Sequence, residues 1–490
     1  MSERLGIQDV KQIAAAALGV AGQVPADGWA AAGRQFRERT LQAAATGFSP
    51  DQSGVPLGRF LCWSADALVK RLIPHAVAEA GADSLQLAWV ATGGYGRRLM
   101  SPGSTVRLVV LHNGREAQAA RAASEALADL LHQAGCRTAC AARTVSQVVE
   151  RMRQDPVGAV AMLQTRRVAG SRNLHEELRG ALVRRFLPRS WGSFAESALG
   201  EVLSRRDPLT SSPYCTEPNL KEGAGCLRDI GTAQKLDDAL SALPGLPAEN
   251  GAALLTDSQR AELSAALDFL LSARNRLHLL HGDPANLLQR RFQGEVAAAL
   301  GYADDAALMR ELFAHTGRVC AVLRGMQEQF CHLHRVAWRR SAQPPRRDLG
   351  EGFVEVEGRI YSAVEPAFPP QDGAPRMTRL FLLSQRRHLP VSQQLLQQVR
   401  DSLDAAGARF RCDEDAGRAL LDLLAGSVGV AERIGWMRDC GLLQACLPEL
   451  APLMGGISPR EAGEFTLDEH AVEALRVIDS LGHATEPGTL

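Results

Sequence analysis

The first residues with chemical potential form a glycine-rich break, Gly93-Gly94-Tyr95-Gly96-Arg97, between two apolar runs, Leu85 to Thr92 and Val106 to Leu111. It is followed by Ser101-Pro102-Gly103-Ser104-Thr105-Val106-Arg107-Leu108. Glycines after an apolar run let backbone amides approach a phosphate closely, and they make a plain turn equally well. Two other groups have metal-binding types: Cys136 with Cys140, and Cys331 with His332 and His334. Neither has the second pair that zinc-finger spacing requires, so no metal site is expected there.

The elements that must position these residues follow from apolar periodicity. Residues 1–55 read as a helical leader with Ala-rich stretches at Ile13 to Leu18 and Leu41 to Ala45, separated by Pro25, and no role is legible in them. Residues 56–185 alternate a helical stretch around Ala65 to Ala80, the two apolar runs as strands, and a helical stretch Glu116 to Gln133, which predicts a compact α/β domain. Residues 186–345 carry apolar side chains at helical intervals, such as Leu263, Leu267, Leu270 and Leu271, and should be all-helical. After Pro344 and Pro345, Val354 and Val356 alternate with Glu355 and Glu357 before Gly358 and Ile360, a small β excursion over 346–375. Helical patterning resumes at Met377 and fills 376–490, with Gly482 to Leu490 as a frayed tail. There is no internal repeat and no low-complexity tract.

Composition limits the partners. The 490 residues are 46% hydrophobic, enough for several cored domains and unlike a disordered chain. Lys plus Arg and Asp plus Glu are 55 each, so no global charge draws the chain to nucleic acid or an anionic membrane. No apolar run approaches the roughly 20 residues of a membrane helix, and Met1 to Val10 lacks the blocks of a signal peptide, which makes the cytoplasm the expected location. The ten cysteines are scattered and expected to be reduced thiols. Lysine occurs only at Lys11, Lys70, Lys221 and Lys235, so a lysine inside a motif is notable.

The glycine break and the Pro-Gly-Ser that follows it resemble the signature of the nucleotidyltransferase superfamily in the form found in bacterial PII uridylyltransferase/uridylyl-removing enzymes. There the pattern runs Gly-Gly-Tyr-Gly-Arg, a short spacer, then Gly-Ser-Asp-x-Asp-Leu. The resemblance favours the phosphate loop over the plain turn. It implies an α+β fold, a mixed-sheet domain of the polymerase-beta-like type followed by predominantly helical domains. In the family, two carboxylates two residues apart on a strand project from one face and hold Mg²⁺, which bridges the nucleotide phosphates and helps ionise the attacking hydroxyl.

Here those positions are Thr105 and Arg107. A guanidinium has donors only and cannot ligate Mg²⁺. A third family carboxylate sits in a helical Leu-Asp-Ala-Arg-x-x-Ala-Gly stretch, aligned with Leu163 to Gly170, which places Gln164 at the acid. No catalytic residue and no metal site are therefore assigned; Mg²⁺ would be expected only in an active protein, with Asp83 or Asp155 as substitutes under a shifted alignment. The residues expected to touch a nucleotide are Gly93, Gly94, Tyr95, Gly96, Arg97, Ser104, Arg107, Asn219, Lys221 and Glu222.

Three of these come from Glu217-Pro218-Asn219-Leu220-Lys221-Glu222-Gly223-Ala224-Gly225-Cys226-Leu227-Arg228-Asp229-Ile230, which is similar to the family's Pro-Asn-Leu-Lys-Glu-Gly-Pro-Gly-Gly-Leu-Arg-Asp-Ile with Ala224 and Cys226 departing from it. Lys221, Glu222, Arg228 and Asp229 are either ion pairs at a helix start or nucleotide contacts. Arg274-Asn275-Arg276-Leu277-His278 resembles another family helix, with His278 as an interface residue. Phe465-Thr466-Leu467-Asp468-Glu469-His470 resembles the opening of the family's HD-type hydrolase domain, but Gly463 and Phe465 stand where the family has His and Tyr, and the His-Asp pair is not reached by Leu490. His470 alone is no two-metal site. The expected function is non-catalytic, a regulatory or binding protein in nitrogen signalling whose partners would be a PII-type protein, an active uridylyltransferase, or UTP or another nucleotide. The alternatives are an active uridylyltransferase with substitute carboxylates and a decaying relic.

Overall fold

A computed structural model of the chain describes residues 6–18, 28–81, 87–155, 162–203, 212–241, 254–282, 285–333, 345–369, 373–406, 413–457 and 464–483. Asp83, His334, Gly463 and the tail from 484 lie outside them. The chain divides into two compact units, Met1–Ser211 with Pro218–Leu308, and Ser212–Glu217 with Met309–Leu490.

The first unit is built on a mixed four-stranded sheet of order β3-β2-β1-β4, where β1 is Leu87–Ala91, β2 Val106–His112, β3 Thr138–Arg143 and β4 Arg166–Gly170. β1 pairs antiparallel with β2 and β4, and β2 pairs parallel with β3. All five residues of β1 are buried, as expected of a central strand covered on both faces. Helices α1 (Ile7–Leu18), α2 (Trp29–Thr46), α3 (Val55–Glu79) and, after the one-turn α4 (Gly93–Gly96), α5 (Ala117–Gln133) share one core with the sheet, through Leu18, Phe36, Phe60, Leu72, Trp89, Val110 and Leu127. The leader helices are therefore part of the sheet's own core, and burial of their apolar faces supplies the tertiary support that short helices lack alone.

Each apolar run holds a strand, Leu87–Ala91 in the first and Val106–His112 from the second, and two further strands join them; Leu85 lies outside the described residues. The stretch Leu163–Gly170, expected to be helical, is a bend followed by β4. The open edge of buried β1 needs hydrogen-bond partners, and that demand outweighs the local preference of a short Arg- and Ala-containing segment. Helix α6 (Val145–Gln154) follows β3 and starts at a capping box, with Thr144 accepting from Gln147 N–H while the Gln147 side chain accepts from Thr144 N–H.

After α7 (Arg172–Ala181) the unit is helical, with α8 (Leu187–Leu203), α9 (Leu227–Ser241), α10 (Asp257–His281) and α11 (Arg290–Leu300). α10 begins at a second capping box, Thr256 with Gln259, and ends at Gly282 in the left-handed region. Helix α12 (Asp305–Leu333) leads into the second unit. There an antiparallel meander, β5 (Arg346–Gly350), β6 (Phe353–Val356) and β7 (Arg359–Ser362), is followed by helices from Gly373 to His483 over a core that includes Phe353, Ile360, Phe381, Met437 and Val472. The mixed α+β fold is the one the sequence leads one to expect.

Candidate functional site

β1 ends at Ala91, and Gly93 turns the chain at φ +61° into α4. Gly96 is glycine for packing: a Cβ there would lie 2.8 Å from the Gln164 carbonyl and 2.9 Å from that of Ala91, and its N–H donates to Thr92 O at 3.1 Å. Tyr95 points inward, its hydroxyl donating to Asp66 Oδ1 at 2.7 Å. Arg166 closes the group, donating to both Asp66 oxygens at 2.8 and 2.9 Å with its guanidinium 5.2 Å from the Tyr95 ring centre. Burial first, and then Asp66, push the Tyr95 phenol well above its ordinary range, so it remains a donor. The family-type Tyr-Gly thus holds the loop onto α3.

The loop and the helical half enclose a cavity of about 530 Å³ within the first unit, a size that suits a nucleotide. Gly93, Gly94, Tyr95, Arg97, Ser104, Arg107, Lys221 and Glu222 all line it, so eight of the ten residues expected at a nucleotide meet in one place. Gly96 and Asn219 do not line it. Asn219 acts one step back, its Oδ1 accepting from the N–H groups of Lys221 (3.1 Å) and Glu222 (2.9 Å) to shape the turn that carries them. Arg137, Arg228, Lys235 and Arg274 also line the cavity, which gives seven basic side chains against two carboxylates, Glu201 and Glu222. Arg228 binds both carboxylates, at 3.1 and 2.9 Å, and Lys221 binds Glu222 at 2.5 Å. Asp229 turns away, accepting from Gly225 N–H at 2.9 Å.

The donor set does not fit a divalent metal. Thr105, immediately before β2, and Arg107, the second residue of β2, both reach the cavity, yet they offer one neutral hydroxyl and one cation. Gln164 does not line it; its amide donates to the Asp238 carboxylate. Asp155 is the C-cap of α6 and does not line it either. Among the described residues no group of three His, Cys, Asp or Glu side chains is disposed to hold a metal ion. Cys136 and Cys140 instead pack against the sheet core.

Lys235, Arg137 and Glu201 were not legible as site residues. For Lys235 a signal existed, since it is one of four lysines and lies seven residues after Arg228, two helical turns along the same face. Arg274 is aimed by Ser101 Oγ (2.8 Å) and Asn286 Oδ1 (2.8 Å).

His278 joins the Pro-Gly-Ser turn to the helices, Nδ1 accepting from Gly103 N–H at 3.2 Å and Nε2 meeting Ala285 O at 2.9 Å. Burial, then Arg274, push it down to about 3, so the folded protein holds it neutral. The unfolded imidazole binds a proton below about 6.5 and the folded one does not, so this stability is complete above 6.5 and falls as pH drops toward 3. Between pH 7 and 5.5 the wild type should lose about 1 to 2 kcal/mol more than His278→Gln, measured as urea unfolding of the first unit. Equal losses in the two proteins would refute the assignment.

In the second unit the Phe465–His470 stretch is held structurally. Arg438 binds Glu469 at 2.5 Å and lies 3.6 Å from Asp468, with its guanidinium 4.3 Å from the Tyr214 ring centre. Glu469 also accepts from Ser212 Oγ and Asp468 from Gly455 N–H. His470 is exposed.

The sheet, the glycine turn and the basic cavity beside β2 define a nucleotidyltransferase-like α+β domain followed by helices. Residues 193–326 match the family model described as GlnD PII-uridylyltransferase. Among similar proteins, the bifunctional uridylyltransferase/uridylyl-removing enzyme of Caulobacter vibrioides is 27% identical over 448 residues, covering 88% of this chain and 47% of the relative. Those of Azospirillum brasilense (26%, 90% and 48%) and Phenylobacterium zucineum (27%, 96% and 52%) are similar to the same extent. The likeness to PII uridylyltransferases thus extends along most of the chain, which spans about half the length of the curated relatives it matches.

Proposed function

We propose that this chain is a uridylyltransferase-like regulatory or binding protein of nitrogen signalling that holds a nucleotide without metal and does not transfer UMP. The observation that carries this reading is that Thr105 and Arg107, at the start of β2 and lining the cavity, stand where the resemblance places carboxylates. Arginine can hydrogen-bond phosphate oxygens directly, replacing the charge of a metal but not its ability to ionise a hydroxyl. Partners of matching chemistry are a PII-type protein, an active uridylyltransferase, and UTP or another nucleotide.

The test is incubation of the full chain with a PII protein, UTP and Mg²⁺ or Mn²⁺, followed by mass spectrometry of the PII protein. No UMP adduct above a no-protein control is expected. Adduct formation would favour the active reading, with Glu201 and Glu222 as the carboxylates to substitute next. A parallel calorimetric series with UTP, ATP and GTP should give affinities that survive EDTA, and Arg107→Ala should weaken them by about 1.5 to 3 kcal/mol, the scale of a charged hydrogen bond. Binding that required added Mg²⁺ would refute the metal-free reading.

A further inference from the structure

Helix α9 turns one face into the cavity, with Arg228, Thr232 and Lys235 lining it and Gly231 set between them. The missing side chain of Gly231 makes room for Arg97, since a Cβ there would lie 2.9 Å from both terminal nitrogens of its guanidinium. Arg97 lines the cavity, and its Nε and Nη1 are shut from solvent without a hydrogen-bond partner among the described residues. Lys235 is 7% exposed and likewise forms no ion pair with a carboxylate among the described residues. A buried guanidinium with two donors unused, beside a second buried basic side chain, is a costly arrangement unless an anion completes it.

We propose that Arg97 and Lys235 form a second anion subsite, separate from Arg107, which takes a phosphoryl group. It rests on the reading of this cavity as an anion site and adds how that site is regulated. The charges around Lys235 are Arg97 from the glycine turn, Arg228 on its own helix, Glu201 on α8, and Arg274 on α10. Glu201 is bound to Arg228. The acids that follow on α9 are engaged elsewhere, Asp237 with Arg260 and the N–H groups of Leu254 and Leu255, Asp238 with Gln164. Burial, then Arg97 and Arg228, pull Lys235 down to about 7, so near neutral pH much of it is uncharged. A phosphoryl dianion arriving beside it favours the ammonium. The lysine nitrogen then takes a proton from solvent as the anion binds, and no covalent bond changes.

The phosphoryl group could belong to a nucleotide or to an inorganic anion, and titration with UTP, inorganic pyrophosphate and uridine separates these. Calorimetry of the full chain at pH 7.5, in buffers of different ionisation enthalpy, counts the protons. The wild type should bind UTP and pyrophosphate, but not uridine, with uptake of about half to one proton per anion. Lys235→Met should weaken both anions about tenfold or more and abolish the uptake. Lys235→Arg should restore affinity without uptake, and Arg107→Ala should weaken UTP while leaving the uptake in place. Binding of UTP but not pyrophosphate would reassign the cavity to the nucleotide alone and overturn a free-anion subsite. Uptake persisting in Lys235→Met, or unchanged affinity in that variant, would overturn the subsite and leave the metal-free cavity standing. Failure of the wild type to bind either anion would overturn both readings.

Discussion

Asp66→Ala is expected to lower the stability of the first unit by about 3 to 5 kcal/mol, the cost of leaving one member of a buried ion pair without its partner. Asp66 accepts both branches of the Arg166 fork and the Tyr95 hydroxyl, and both charged side chains are largely buried, 16% and 13% exposed. Removing the carboxylate strands a guanidinium and a phenol together, at the place where α3, the glycine turn and β4 meet. Removing the charge as well should recover part of the loss, so Asp66→Ala/Arg166→Met is expected to be more stable than Asp66→Ala alone. Hydrogen exchange of the β1 amides in urea reports this unit separately from the other. A single variant within 1 kcal/mol of the wild type would mean that the triad is not what fastens the turn.

Lys235→Met should do the opposite and stabilise the first unit, by about 2 to 4 kcal/mol at pH 7. The folded lysine loses its proton near 7, against an ordinary value of 10.5. Between those values the unfolded chain binds a proton that the folded chain does not, so wild-type stability rises with pH across the window, and below 7 the full cost of the buried charge is carried. Methionine has no such charge and fills similar space. The gap between variant and wild type should therefore be widest at or below pH 7 and narrow by pH 9.5, measured as urea midpoints at both values. A gap that did not depend on pH would show that the gain came from packing. A site residue whose removal strengthens the fold is the usual mark of a group kept for binding.

What the sequence by itself determined is local. Two apolar runs, Leu85 to Thr92 and Val106 to Leu111, announce the strands because continuous apolar character is what a covered strand requires, and the glycine turn lies between them. The family-type motifs also bring eight of the ten expected contact residues to one cavity, Thr105 and Arg107 reaching it from the start of β2. Tertiary structure decided the rest. β3 and β4 have sequences, Thr-Ala-Cys-Ala-Ala-Arg and Arg-Arg-Val-Ala-Gly, with little strand preference of their own, and they are strands because β2 and β1 offer buried edges that need partners. The Asp66–Arg166 pair spans 100 residues and Gly231 meets Arg97 across more than 130. Such pairings arise only when the helices close over the sheet, and the environment of Lys235 is a property of that closure: a lysine on an amphipathic helix reads as solvated until burial and two guanidinium groups surround it.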